Sequence, residues 1–227
     1  MIALQGVTRH FQLGEQQVCA LDQISLQIAA GEYIAVMGPS GSGKSTLLNV
    51  LGLLDRPDSG HYLLDGTDTA QLGERELATL RSHRIGFVFQ SFHLVPRLSA
   101  RENIELPLML GGMAPLQRRA RVDTLLEGLG LTNRASHKPA ELSGGQRQRV
   151  AIGRAMAMSP ALLLADEPTG NLDSHSGEEV MALLEDLNRQ QGITLIVVTH
   201  DERLGARARR QIRMNDGRIV ADGGASA

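Results

Sequence analysis

The sequence predicts an α/β fold: a mainly parallel sheet, an antiparallel β subdomain ahead of it and an inserted α-helical subdomain. Three observations carry this. Four short apolar runs, Tyr33–Met37, Ile85–Phe89, Ala161–Ala165 and Ile193–Val198, read as buried strands with helical segments between them. A glycine-rich loop, Gly38-Pro-Ser-Gly-Ser-Gly-Lys-Ser45, joins the first run to a helix. Between 91 and 157 the texture changes, with prolines at 96, 107 and 115 punctuating segments of helical period. The α/β core with its β subdomain is therefore assigned to 1–90 and 158–227 and the helical insert to 91–157, all within one domain.

Composition narrows the possibilities. The chain has 227 residues, 42% of them hydrophobic, enough for a sizeable core; aromatics are only 3% and Trp is absent, so that core is aliphatic. A formal net charge of −2 leaves no electrostatic footprint for nucleic acid. The single cysteine, Cys19, cannot form an internal disulfide, which suits a reducing compartment. No apolar run approaches the ~20 residues of a membrane span, and the N-terminus lacks the basic start and apolar run of a signal peptide. The expectation is a cytoplasmic protein whose membrane role, if any, needs a partner.

In chain order, Ile2 to Ile28 alternates short apolar runs with turn residues, as antiparallel strands do. Phe11 stands there among polar neighbours, either as a core residue or as a platform on which adenine stacks. The loop that follows has the spacing G-x-x-x-x-G-K-[ST], a P-loop. Chance would produce it in roughly one chain of this length in a hundred. Gly38, Gly41 and Gly43 let the backbone wrap a phosphate, and the successive N–H groups from Ser40 through Ser45, Ser42 among them, converge on its oxygens at a helix N-terminus. Lys44 brings a cation to the β- and γ-phosphates and the Ser45 hydroxyl a ligand to Mg²⁺.

Helical character at Glu74–Arg81 leads to the strand Ile85–Phe89, which delivers Gln90 to its C-terminal end, where ligand groups of open α/β sheets sit. An amide there touches Mg²⁺ or is an ordinary loop residue. The insert contains helices over Leu116–Leu129 and Gln146–Met158. Arg118, Arg119 and Arg121 on the first form a solvated face or a partner contact. Leu142-Ser-Gly-Gly-Gln146 opens the second: Ser143 is a good N-cap, and the glycines leave first-turn amides open to a second phosphate, or merely begin a capped helix. Asp166 and Glu167 end a central strand, where Mg²⁺ needs a carboxylate and the attacking water a base. Ser174 is expected to cap a helix running to Gln191, and Gly192 to stop it. The next strand sets His200 at its C-terminal end, suited to polar work near neutral pH. Arg207, Arg209 and Arg210 read as solvated surface, and Ile212–Ala221 as a closing hairpin turning at Asn215-Asp-Gly217.

P-loop, Gln90, Leu-Ser-Gly-Gly-Gln, an acid pair and His200 in one order resemble the ATP-binding subunit of ABC transporters across essentially the whole chain. Leu142–Gln146 is the most specific element, a signature that other P-loop classes lack. The resemblance implies a P-loop NTPase (RecA-like) core working with ATP and Mg²⁺. It makes Lys44, Ser45 and Thr46 phosphate and Mg²⁺ contacts, Asp166 the metal ligand and Glu167 the general base. By the same resemblance Gln90 senses Mg²⁺ and faces the membrane partner, Asp173 reaches across a dimer and His200 contacts the γ-phosphate. Phe11 falls where many relatives have Tyr and stacks on adenine. Ser143, Gly144, Gly145 and Gln146 would bind the ATP held by a second copy.

Pro168–Asp173 and Ile85–Pro96 look like the macrolide-export and lipoprotein-release branch, which implies a homodimer serving a separate transmembrane permease on the inner membrane. A regulatory or cell-division ATPase signalling through a membrane partner is the alternative. A soluble ATPase of DNA repair or translation fits less, since neither a long coiled-coil insert nor a second cassette is present.

Overall fold

Alternation at the N-terminus builds a ribbon: in the computed structural model, which describes residues 1–14 and 16–224, β1 (Ile2–Leu13) and β2 (Gln16–Ile28) pair antiparallel. β3 (Tyr33–Met37) is wholly buried and runs through the glycine-rich loop into α1 (Lys44–Leu51). β4 (Ser59–Leu64) and β5 (Thr67–Asp68) return to the first sheet, whose order is β2-β1-β4-β5. α2 (Glu74–Arg84) leads into β6 (Ile85–Phe89). Three helices follow, α3 (Ala100–Leu110), α4 (Pro115–Gly128) and α5 (Gly144–Met156), before the chain re-enters the sheet as β7 (Leu162–Asp166). α6 (Ser174–Gln191), β8 (Thr194–Val198), α7 (Glu202–Gly205) and the hairpin β9 (Arg210–Asn215)–β10 (Arg218–Gly224) complete it.

The second sheet has the order β10-β9-β3-β8-β7-β6, with β3, β6, β7, β8 and β9 parallel and β10 antiparallel at one edge. Its central strands are mainly aliphatic because both faces are covered. Ile34, Val36, Leu162, Leu164, Ile196 and Val198 point into a core shared with α1 and the antiparallel sheet. The alternate residues Ala35, Met37, Leu163, Ala165, Leu195 and Val197 point into a second core made with α3 to α6. Parallel direction then brings the segments after β3, β6, β7 and β8 to a single edge of the sheet.

Several expectations are corrected. Helix starts fall earlier than periodicity implies: Pro115 is accepted in the first turn of α4, and α5 begins at Gly144 with Ser143 as its cap. Asp173, not Ser174, caps α6, its carboxylate taking the Ser176 N–H at 2.9 Å, and Ser174 is the first helical residue. Gly192, at φ 67°, stops that helix as expected.

The arginines are not a free solvated face. Arg118 donates to Glu105 (2.8 Å) and the Met113 carbonyl, and Arg121 to the carbonyls of Met156 (2.9 Å) and Ala157 at the end of α5. Arg207 joins Glu178 and Glu185, and Arg210 forks onto Asp222 through two 2.7 Å bonds. Only Arg119 and Arg209 of these runs are exposed. Long-range partners chosen by the fold decide this, and spacing along the chain does not encode them.

Candidate active site

The loop between β3 and α1 is shaped by glycines in left-handed conformations. Gly43, at φ 98°, precedes Lys44, and a Cβ on it would stand 2.3 Å from the carbonyl oxygen of Ala20 on β2. Gly41, at φ 81°, has nothing within 4 Å of where its Cβ would point. Only glycine suits either backbone, for different reasons: close packing behind the loop at Gly43, open space before it at Gly41. No side chain caps α1, so its first-turn amides are left for an anion. Lys44 Nζ lies over the loop, donating to the carbonyls of Gly38 (2.9 Å) and Pro39 (2.7 Å).

A cleft of about 630 Å³ opens here. The loop residues Gly38, Ser40, Gly41, Gly43, Lys44, Ser45 and Thr46 line one side, Asp166, Glu167 and His200 another, and Val18, Cys19 and Ala20 of β2 a third. Ser42 is buried beneath the loop, where its carbonyl accepts the Gly217 N–H, and does not line the cleft. The β2 wall went unforeseen, since strand alternation carries no mark of a ligand.

Asp166 ends β7 and lines the cleft together with Ser45. Burial, and next the charge of Glu167, raise its pKa, partly offset by Lys44 and Ser45. Two neighbouring carboxylates, both half-buried and facing a phosphate-type loop with its serine hydroxyl, fit Mg²⁺ held jointly by Asp166, Ser45 and phosphate oxygens. Among the described residues no group of three or more His, Cys, Asp or Glu side chains could hold a metal unaided.

Glu167 adopts φ 46°, uncommon outside glycine, and this turns its carboxylate back toward β8. There it accepts the His200 N–H (3.0 Å), the His200 ring at Nδ1 (2.7 Å) and the Thr199 hydroxyl (3.4 Å). With the carboxylate as acceptor, Nδ1 carries the proton, and the bond to Glu167 raises the His200 pKa. Thr199 was not foreseen, although it adjoins His200.

Other expected residues lie elsewhere. Gln90 does not reach the cleft: its amide packs over Gly170 and donates to Asn171 Oδ1 at 3.4 Å, while Asn171 Nδ2 holds the Gln90 carbonyl at 3.0 Å. Phe11 does not line the cleft either, but it pairs across the ribbon with Val18, which does. Its ring is exposed, with the Arg9 guanidinium 4.8 Å from the centroid. Ser143, Gly144, Gly145 and Gln146 stand apart from the chain's own cleft. Ser143 Oγ takes the Gln146 N–H (3.2 Å) while Gln146 Oε1 takes the Ser143 N–H (3.1 Å), a reciprocal capping box. Asp173 is engaged as the α6 cap.

A phosphate-binding loop, a half-buried carboxylate facing its serine and a Glu–His pair at one edge of a parallel sheet define a domain that binds and cleaves a nucleoside triphosphate. The chain belongs to the ABC transporter family, whose pattern matches residues 21–170. It is an ATP-binding cassette of that family, an ATPase whose cofactors are ATP and Mg²⁺. It is 55% identical over 225 residues to the macrolide export ATP-binding/permease protein MacB of Marinobacter nauticus, covering 99% of this chain and 35% of that protein. It is 53% identical over 222 residues to the protein of the same name from Burkholderia pseudomallei, covering 98% of this chain and 34% of the relative. The chain thus spans about a third of the length of these curated relatives. Among solved structures it is similar, with a TM-score of 0.91, 44% identity and full coverage of both chains, to the dimeric post-hydrolysis state of the ATP-binding cassette MJ0796 bound to ADP and Pi. A second dimeric structure of that cassette has 45% identity and the same TM-score and coverage. No helix among the described residues is long and apolar enough to cross a membrane.

Proposed function

We propose that two copies of this cassette close around two ATP molecules and that hydrolysis drives a membrane permease, in export or in mechanotransmission to periplasmic substrates. One observation carries the reading: no residue of Leu142–Gln146 lines the chain's own cleft, although Ser143 and the glycines after it begin α5 and so carry the amides of its first turn. A second copy, related by a two-fold axis, can bring that helix end to the phosphates. Similarity to dimeric cassette structures supports this arrangement, and similarity to MacB supports the export branch. The permease is on a separate chain or continuous with the cassette, as the names of the relatives describe. Through it the cassette would sit on the cytoplasmic face of the inner membrane.

In this mechanism Lys44 swings from the loop carbonyls to the β- and γ-phosphates, and Ser45 and Asp166 would hold Mg²⁺, with Thr46 beside them. Mg²⁺, when bound, neutralises charge on the phosphates. Glu167 takes the proton of the attacking water, and His200 orients that carboxylate and reaches the γ-phosphate. Gln90 exchanges Asn171 for the cleft as the partner docks, Asp173 faces the second copy, and Phe11 stacks on adenine. Loss of the γ-phosphate then loosens the dimer and resets the permease.

A Glu167→Gln variant tests this. It is expected to bind Mg·ATP, hydrolyse it about 10²–10⁴-fold more slowly and accumulate as a dimer by light scattering. A protein that stays monomeric with saturating Mg·ATP would refute the sandwich. Recovery from detergent-solubilised membranes of a polytopic partner with a large extracytoplasmic domain would support the export or mechanotransmission branch.

A further inference from the structure

Gln148 lies in the first turns of α5 and is completely buried. Its Nε2 donates to two backbone carbonyls from different segments, Phe89 at the end of β6 at 3.3 Å and Pro168 in the loop after β7 at 2.5 Å. Phe89 immediately precedes Gln90, and Pro168 immediately follows Glu167. Oε1 has no partner. The amide cannot be turned over, because Oε1 would then face both carbonyl oxygens. An unpartnered buried oxygen is destabilising, and an aliphatic side chain would fill the same space, so packing does not account for an amide here.

Left-handed backbone lies close to both anchored carbonyls. Glu167 is left-handed and is followed by a proline, which has no N–H with which to fix itself. Beyond Gln90, Phe92 and His93 are also left-handed, at φ 60° and 49°. The same helix holds them: Arg154 donates to the carbonyls of Phe92 (2.9 Å) and His93, and the Arg147 guanidinium lies 4.9 Å from the Phe92 ring centroid. α5 therefore grips the segment after β6 at both ends, and through Gln148 it also reaches the backbone beside Glu167.

We infer that Gln148 is a positioning residue for hydrolysis, one amide that ties the backbone flanking Gln90 and Glu167 to the helix that begins at Ser143-Gly144-Gly145. Any shift of α5 as its N-terminus meets the second copy's phosphates is passed to both loops together. The inference rests on Glu167 as the base and on that helix end as the contact in the closed dimer.

Gln148→Met preserves length and approximate volume and removes both donors. Loss of tethering displaces the Glu167 carboxylate by a fraction of an ångström, so kcat is expected to fall roughly ten- to a hundredfold. The melting temperature, the affinity for Mg·ATP and, in the Glu167→Gln background, ATP-driven dimerisation should be retained. Wild-type kcat in Gln148→Met would overturn the inference, as would a fall in kcat matched by an equal fall in ATP affinity or in folded fraction, which a merely structural role produces. Should Gln148→Met fail to fold, Gln148→Asn, whose amide is one methylene too short to reach both carbonyls, carries the same expectations. Wild-type turnover by Glu167→Gln alone would overturn the base assignment and this inference with it, whereas a silent Gln148→Met beside an inactive Glu167→Gln overturns this inference only.

Discussion

Replacing Gly41 and Gly43 separately by Ala distinguishes a glycine kept for the fold from one kept for the ligand. Both residues are left-handed, at φ 81° and 98°, and an L-residue there costs about 1–2 kcal/mol. At Gly41 nothing lies within 4 Å of the new methyl, so strain is the whole effect. For a chain of this size that lowers Tm by roughly 2–8 °C. At Gly43 the methyl would sit 2.3 Å from the Ala20 carbonyl and 3.4 Å from Gly217 Cα. Relieving that contact means pushing β2 away from the loop, and overpacking of this kind adds about 1–3 kcal/mol.

Gly43→Ala should therefore lose about 2–5 kcal/mol in all. Nucleotide binding reverses the order of interest. The Gly41 methyl stands on the open face of the loop, where the phosphates enter, so that variant should remain folded yet bind ATP at least about tenfold more weakly, a loss of 1.4 kcal/mol or more. Thermal melts without nucleotide and equilibrium titration with Mg·ATP read the two quantities independently. Wild-type ATP affinity in Gly41→Ala would refute the phosphate-cradle reasoning, and equal melts for the two variants would refute the packing of the loop on β2.

Two further outcomes follow from the scaffold. Leu164, fully buried in β7, should lose about 2–5 kcal/mol on substitution by Ala, read as a lower urea midpoint with unchanged m, whereas Leu116→Ala, 82% exposed on α4, should shift stability by no more than about 0.5 kcal/mol. Asp222 is held below the usual carboxylate range by its hydrogen bonds from Arg210; with the folded pKa depressed, the pair's stabilisation is present above about pH 4 and fades as pH falls through the folded pKa. Asp222→Asn should then melt a few degrees below wild type at neutral pH, about 1 kcal/mol or less for a partly exposed pair, and the gap should close below about pH 4. A gap independent of pH would refute the ion pair.

Much of the site is written locally. The phosphate loop is legible because its requirements, glycines for left-handed turns and a lysine and serine opening a helix, are met within eight consecutive residues. The acids and His200 are legible because a buried parallel strand announces itself by an unbroken aliphatic run, and its C-terminal end is where ligands lie. Ser143 is legible as a cap because capping is satisfied within one turn.

Partner choice across long stretches of chain is another matter. Arg207 reaches Glu178 and Glu185, Arg121 the end of α5, and Gln148 two carbonyls 59 residues before and 20 after it. Asp173 and Ser174 are equally good caps by type, and the backbone path into α6 chose the carboxylate. Gln90 turns to Asn171 for the same kind of reason. Hydrogen bonds and ion pairs form between whatever groups packing brings within about 3 Å, so residue type alone determined the chemistry available to this protein, and the tertiary structure decided which of those groups meet.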